Sequence, residues 1–312
     1  MKCEILLFVT QDRRSSLTRY AFLSIFAAVT TIALKSVAYW LTGSVGLLSD
    51  ALESIVNLVA AAFTMAMLIV AARPPDEDHL YGHDKVEYFS SALEGVLILV
   101  AAFGIAAAAI LRLMAPQPLE QIGLGLVVTL VASLVNLIVA RVLLRAGKRE
   151  NSIALEADGH HLMTDVWTSC AVVIGVAFVG LTKWSWLDPV IALAAAAHIA
   201  GTAIQLVRRS VLGLMDTALE VEQQQLLEST LKSFEKDGVQ FHALRTRQAA
   251  GRSFVSFHVL VPGSWTVAAG HTLLENIEAA VREHIVNVTV FTHLEPIEDP
   301  AAFADINLQR GA

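Results

Sequence analysis

LLSDALESIVNLVAAAF (47–63) and ALEADGHHLMTDVWTSCAVVIGV (154–176) are two apolar stretches that each carry two polar residues four positions apart. The two pairs are Glu53 with Asn57 and His161 with Asp165. Because four residues make about one helical turn, each pair projects from one face of its predicted helix. Ionisable groups at membrane depth are costly and mark ion or proton paths. If the two faces meet, they offer two carboxylates, an imidazole and an amide oxygen to a divalent cation.

The composition is that of a membrane protein with a water-exposed end. The 312-residue chain is 55% hydrophobic and only 16% charged, whereas a typical soluble domain carries about 25% charged residues. Most of the apolar excess precedes residue 212, and the rest has the composition of an ordinary soluble segment. The net charge of −7 and the lack of a basic stripe argue against nucleic acid as a partner.

Six apolar segments are long enough to cross a membrane, which takes about 20 residues. We predict spans near 19–41, 45–72, 88–112, 119–145, 154–181 and 186–210. Lys and Arg concentrate at the start of the chain, in the second and fourth loops and after the last span. Because cytoplasmic loops carry the excess of positive charge, both termini are predicted to be cytoplasmic. Residues 1–17 are then a cytosolic tail, and 18–211 form a six-helix transmembrane domain.

The segment 212–299 is predicted to be a small cytosolic α/β domain, followed by a C-terminal tail, 300–312. Residues 217–236 and 266–285 have the apolar spacing of helices. Three stretches have the alternation and composition of strands: QFHALRTRQ, SFVSFHVLV and VNVTVFTHLEP. The order α-β-β-α-β is typical of a two-layer domain of the ferredoxin-like or metallochaperone-like kind.

Four histidines and a glutamate make a candidate metal site in this domain. They are His242, His258, His271, His293 and Glu295. Three of the histidines fall in the predicted strands, and a period of two puts His293 and Glu295 on one sheet face. A single strand histidine is readily explained by solvation, but the set together indicates zinc or a similar ion.

The second predicted cytosolic loop, RPPDEDHLYGHDKVEYF (73–89), holds another carboxylate with two imidazoles. Asp76, His79 and His83 are close enough in sequence for a loop or a helix start to bring them to one ion. Acidic loops that contain histidine are common, so this pattern is not specific by itself.

Taken in order along the chain, these motifs resemble the cation diffusion facilitator family. The resemblance rests on Asp76, His79, YGHDKVE (81–87), the pair His161 and Asp165, and the tail motifs HALRTRQ, FHVLV and HLE. It covers nearly the whole chain and is similar in particular to the dimeric bacterial zinc/proton antiporters. It implies six transmembrane helices, a cytosolic α/β domain and a homodimer in the bacterial inner membrane. Zn²⁺ or another divalent cation would be both cargo and regulatory ion, and protons would be exchanged for it.

The resemblance also implies residue roles. The implied transport site is Glu53, Asn57, His161 and Asp165. The implied loop site is Asp76, His79 and His83. The implied cytosolic dimer-interface site is His242, His258, His271, His293 and Glu295. A lysine in the loop and an aspartate after the last helix, which pair at the dimer junction in the resembling proteins, correspond to Lys85 and Asp216.

The second helix departs from the family pattern. The bacterial zinc exporters usually carry two aspartates where this chain has Glu53 and Asn57, so the site has one negative charge fewer. Asp50, three residues before Glu53, could serve as an extra ligand. His161 favours zinc, whereas an oxygen-rich ligand set suits harder ions such as Mn²⁺. Transport of Mn²⁺, Fe²⁺ or Cd²⁺ therefore stays open.

Two other classes of protein compete with a secondary active transporter. A membrane metal sensor that does not transport would also explain the departure at Asn57. An integral-membrane metalloenzyme would need a catalytic motif, and the sequence contains no HExxH, no GxSxG and no phosphate-binding loop. We therefore expect a transporter rather than an enzyme.

Overall fold

The protein folds into two compact units, Met1–Val211 and Leu212–Ala312. The computed structural model describes residues 2–42, 45–115, 124–182, 184, 186–236 and 238–303. Its side chains are described for the same ranges except 2–16, 41–53, 56, 124–126, 172, 175–181 and 188.

Six helices make up the first unit. They are α1 (Lys2–Thr42), α2 (Val45–Ala71), α3 (Val86–Met114), α4 (Leu124–Glu150), α5 (Ile153–Thr182) and α6 (Leu187–Leu214). The first helix begins at Lys2, so most of the predicted N-terminal tail is continuous with the first predicted span. The polar segment TQDRRSS interrupts the apolar pattern, but it contains no Gly or Pro that would end the helix.

Four segments of these helices, within the described part of the chain, are long and apolar enough to cross a membrane. They are Leu17–Trp40, Val86–Met114, Val127–Glu150 and Pro189–Leu214. The other two helices, α2 with 27 residues and α5 with 30, carry the polar pairs. Large apolar side chains such as Phe26, Val100 and Phe103 are exposed, as they are on a lipid-facing surface. The predicted helical membrane domain is confirmed. In the described part of the chain, four of its six spans meet the criteria of length and hydropathy.

α4 and α5 form a tight hairpin. Asn151 connects them with φ of 50°, a left-handed conformation that Asn tolerates after a helix end. The helices approach closely at Gly159, where an added Cβ would lie 2.8 Å from Leu144 Cγ. Small residues permit such close backbone approach between membrane helices. This packing holds Asn136 of α4 beside α5.

The second unit has the predicted order α-β-β-α-β. Its elements are α7 (Val221–Lys232), β1 (Gln240–Ala249), β2 (Arg252–Val261), α8 (Val267–His284) and β3 (Val288–Pro296), before a short 3₁₀ turn at Pro300–Phe303. The sheet order is β1-β2-β3, with β1 antiparallel and β3 parallel to β2. The parallel pair needs a crossover, which α8 provides. The predicted small α/β domain is confirmed.

The two faces of this sheet differ. One face packs against both helices through a core that includes Val255, Phe257, Val259, Leu227 and Ile277. Because side chains alternate along a strand, His258 of β2 points to the other face. The register pairs His242 with His258, and His258 with His293. Three imidazoles therefore form a row across the face that lacks the helices.

Candidate functional site

Three of the four predicted transport-site residues meet between α2 and α5. Asn57 Nδ2 donates to Asp165 Oδ2 at 2.7 Å, and Asn57 Oδ1 lies 2.9 Å from His161 Nε2. An amide oxygen can only accept, so His161 donates from Nε2 in this arrangement. Asn57 and His161 are both buried. The amide thus bridges the imidazole and the carboxylate.

Two predicted ligands fall where side chains are not described. Glu53 and Asp50 belong to α2, but both lie outside the described side chains. The residue after Glu53 is described: Ser54 is buried and accepts a hydrogen bond of 2.8 Å from Lys35 Nζ on α1. A buried ammonium group therefore contacts the residue that follows Glu53 on α2.

Asn136 of α4 is a site residue that the sequence analysis missed. Its Nδ2 donates to Asp165 Oδ2 at 2.9 Å, the oxygen that Asn57 also binds. Asn136 is 3% exposed. It stands in the apolar run VASLVNLIVARV (131–142), so the signal used for α2 and α5 was present here too. Three helices, rather than two, build this site.

Asp76, His79 and His83 come together in the loop between α2 and α3. The backbone N–H of His79 donates to Asp76 Oδ1 at 2.7 Å, and its ring Nδ1 lies 3.1 Å from that oxygen. His83 Nε2 lies 3.2 Å from Asp76 Oδ2. Gly82, with φ of 86°, makes the turn between the two rings, whose centroids are 4.5 Å apart. One ligand atom from each residue lies within 4.8 Å of the others.

The Asp76 carboxylate is exposed and readily ionised. Desolvation opposes its ionisation, but hydrogen bonds from the backbone and ring of His79, with the charges of His83 and His79, lower the pKa of Asp76. The carboxylate is therefore negative at neutral and mildly acidic pH.

The sheet brings His242 and His258 to one carboxylate oxygen. Glu295 Oε2 lies 2.9 Å from His242 Nε2 and 3.1 Å from His258 Nδ1. One ligand atom from each of the three lies within 4.8 Å of the others. His293 Nδ1 is 3.5 Å from the second oxygen, Oε1, and its side chain is 59% exposed, against 9% for Glu295. Imidazole with carboxylate is an ordinary zinc ligand set.

The remaining predicted site residues are His271, Lys85 and Asp216. His271 is exposed on α8, which packs against the opposite face of the sheet from the histidine row. Lys85 and Asp216 belong to different units, and their pairing stays a prediction. Asp216 accepts a hydrogen bond of 3.2 Å from Arg247 within its own unit.

Family models match both units of the chain. The cation efflux transmembrane domain matches residues 21–215, and the cytoplasmic domain of cation efflux proteins matches residues 219–297. A solved chain of the zinc transporter CzrB aligns at 29% identity with 25% of this chain and 96% of its own, and the TM-score of 0.24 is too low to establish a shared fold.

Some relatives match this chain over most of their own length, and they include named cation-efflux pumps. The chain is 53% identical over 284 residues to an uncharacterized transporter of Synechocystis sp., covering 91% of this chain and 92% of that one. It is 28% identical over 275 residues to the cation-efflux pump FieF of Shewanella oneidensis, covering 88% and 92%. Because the matches run through both units in order, the chain belongs to the cation diffusion facilitator family and is a multi-pass membrane transporter for cation efflux.

Proposed function

We propose that the protein exports Zn²⁺ from the cytosol in exchange for protons, as a homodimer in the bacterial inner membrane. The observation that carries the proposal is the meeting of Asn57, His161 and Asp165 between α2 and α5. Imidazole, carboxylate and amide oxygen can all bind a divalent ion, and Glu53, one turn before Asn57 on α2, would supply the fourth ligand. Asn57 and His161 are buried within the unit, as polar residues that line an ion path through a membrane are.

Proton exchange follows from the ligands that zinc needs. The ion binds neutral imidazole and ionised carboxylate, so its arrival releases protons and their return expels it. The imidazole of His161 is the natural exchange group, because its ring nitrogen can hold either the ion or a proton. Rocking of helices in the bundle would then expose the site to either side in turn.

Asn136 acts in this proposal as a positioning residue. Asn57 must turn its amide oxygen to the ion, which breaks its hydrogen bond to Asp165. Asn136 binds the same carboxylate oxygen from α4 and keeps Asp165 oriented while Asn57 is engaged elsewhere. Loss of such a supporting hydrogen bond costs about 1 kcal/mol, or roughly fivefold in metal affinity.

The membrane orientation and the soluble ends complete the proposal. We place both termini in the cytosol, with 1–17 as a tail, 18–211 as the membrane domain, 212–299 as the metal-binding domain and 300–312 as a second tail. The loop site at Asp76, His79 and His83 would then face the cytosol, where it can gather ions for the helices.

We also propose that metal in the α/β domain holds two protomers together. His242, His258 and Glu295 already share one position, with His293 beside them. His271 lies on the helix layer, so it would reach the site of the partner protomer rather than its own. Lys85 and Asp216 would pair at the dimer junction, where a sheltered ion pair contributes more than the roughly 0–1 kcal/mol of an exposed one.

The amide of Asn57 favours a second version of this function, in which the transported ion is not Zn²⁺. Asn57 offers a neutral oxygen in place of a carboxylate, which suits a harder ion such as Mn²⁺, and Fe²⁺ or Cd²⁺ are further candidates for the cargo. A membrane sensor is the other alternative, and it would bind metal at the α/β domain without moving any ion.

The test is ion flux in vesicles that contain the purified protein under an imposed proton gradient. We expect Zn²⁺ to move against its own gradient, with matching proton flow. His161→Ala and Asp165→Ala should each abolish that flux while the dimer survives. His160→Ala is the matched control, because its ring lies about 100° around the helix from His161. Normal flux in both site variants would exclude the proposed site, and zinc flux without proton flow would exclude antiport.

A further inference from the structure

Glu94 and Asp158 are two deeply buried carboxylates that the proposed transport site does not use. Glu94 on α3 is 1% exposed, and Asp158 on α5 is 2% exposed. The two groups are close enough for the charge of Asp158 to act on Glu94. No described hydrogen bond joins either carboxylate to a residue of the proposed transport site.

Hydroxyl groups from three helices surround these carboxylates. Ser24 of α1 donates to Asp158 Oδ1 at 2.9 Å. Thr64 of α2 donates to Glu94 Oε1, and its Oγ1 lies 3.1 Å from Ser90 Oγ of α3. The three hydroxyl residues are fully buried. Four helices thus contribute oxygen-bearing side chains to these contacts.

One oxygen of each carboxylate has no partner among the described residues. Glu94 Oε2 and Asp158 Oδ2 are both buried and accept no hydrogen bond there. In the described part of the chain, no Lys, Arg or His acts on either group. Burying two negative charges without a counter-charge is strongly unfavourable. A bound cation would supply that counter-charge.

The cluster lies one to two helical turns from the proposed transport site, with Asp158 three residues before His161 on α5. Thr64 follows Asn57 by seven residues on α2, and Asp158 precedes Asp165 by seven on α5, which is about 10 Å along each helix axis. Both steps lead toward the helix ends next to the loop that carries Asp76. The cluster therefore lies between that end of the bundle and the transport site.

We propose that Glu94 and Asp158, with the hydroxyls of Ser24, Thr64 and Ser90, form a second intramembrane cation site for a hard divalent ion. A divalent charge balances both carboxylates, whereas a monovalent ion leaves one uncompensated. Carboxylate and hydroxyl oxygens suit Mn²⁺ or Mg²⁺ better than softer ions. The site differs in this respect from the imidazole-containing one, and it gives an ion a resting place on the loop side of the bundle.

The test is Mn²⁺ binding to the full-length protein, measured by electron paramagnetic resonance. A background variant with Asp76→Asn, Asp165→Asn and Glu295→Gln weakens the three other candidate sites. We expect it to retain one bound Mn²⁺ per protomer, with a spin-echo signal free of imidazole nitrogen coupling. Adding Glu94→Gln or Asp158→Asn should weaken that binding at least about tenfold.

Two further variants separate a lost site from a lost fold. Glu87→Gln removes another buried acid of α3 and should leave Mn²⁺ affinity unchanged. Thr64→Val keeps both carboxylates and should weaken binding several-fold, with unchanged elution and circular dichroism. The proposal is overturned if the background variant binds no Mn²⁺, which means that the carboxyl groups hold only protons. Nitrogen coupling, or unchanged affinity in Thr64→Val, overturns it as well.

Discussion

The membrane site and the sheet site combine imidazole and carboxylate in opposite ways. Between α2 and α5, the amide of Asn57 stands between His161 and Asp165 and satisfies both. On the sheet, the Glu295 oxygen faces His242 and His258 directly. An ion would replace hydrogen bonds at both places, but on the sheet the three ligands already face one position, whereas in the membrane the amide stands between the other two. We therefore expect the first arrangement to favour exchange of an ion and the second to favour its retention.

The largest effect is expected from Asp165→Asn. The change removes the negative charge that α5 would offer to the ion beside His161. Zinc flux in vesicles should therefore fall at least about 100-fold. Metal content of the α/β domain should stay the same, which can be measured on the purified protein. Equal loss of metal from both places would mean that the two sites are not separate.

Glu295→Gln should produce the converse result. The change removes the one carboxylate shared by His242 and His258, so zinc affinity of the α/β domain should fall about 10–100-fold. Vesicle flux should fall much less. Glu283→Gln, an exposed acid of α8, is the control. Calorimetric titration that shows the same affinity in Glu295→Gln would remove the sheet site.

Asn57→Asp should remove the amide bridge that distinguishes the membrane site from the sheet site. A second anionic ligand on α2 should raise zinc affinity by about tenfold and shift preference among Zn²⁺, Cd²⁺, Mn²⁺ and Fe²⁺. Competition flux measures this preference. An unchanged order of ions would show that the amide does not set selectivity.

Asn136→Leu should have a smaller effect. It removes one hydrogen bond to Asp165, worth about 1 kcal/mol or roughly fivefold in affinity. We expect flux to fall by that factor at low zinc and to recover at saturating zinc. Asn136→Asp, which places a negative charge beside Asp165, should be worse than Asn136→Leu. Normal flux in both variants would make Asn136 a packing residue.

The smallest effect on flux is expected from the loop site. Its zinc binding should depend on pH. The pKa of Asp76 is lowered, so this carboxylate stays charged as pH falls, and its metal-binding contribution is lost only in strong acid. Zinc should instead leave the loop in milder acid, because protons compete with the ion for the ligand atoms. Zinc binding against pH, in a variant with Asp165→Asn and Glu295→Gln, checks this. Zinc binding that persists unchanged into strong acid would contradict proton competition at this site.

The sequence predicts those features that depend on one element at a time. A spacing of four places Glu53 and Asn57, or His161 and Asp165, on one helix face, and alternation does the same for His293 and Glu295. Partners between elements were harder to predict. Nothing in the spacing indicates that α4 packs against α5 at Gly159 and so carries Asn136 to Asp165. Likewise, the sequence could not tell that His271 lies on the layer opposite the other histidines.

The close contact at Gly159 has a mechanical consequence. With Leu144 packed directly over it and a short link at Asn151, α4 and α5 have little freedom to slide past each other. Any tilt of α5 that turns Asp165 from one side of the membrane to the other should therefore carry α4 along. During transport α4 and α5 would then move as one unit, and Asn136 would stay beside the Asp165 carboxylate throughout the movement.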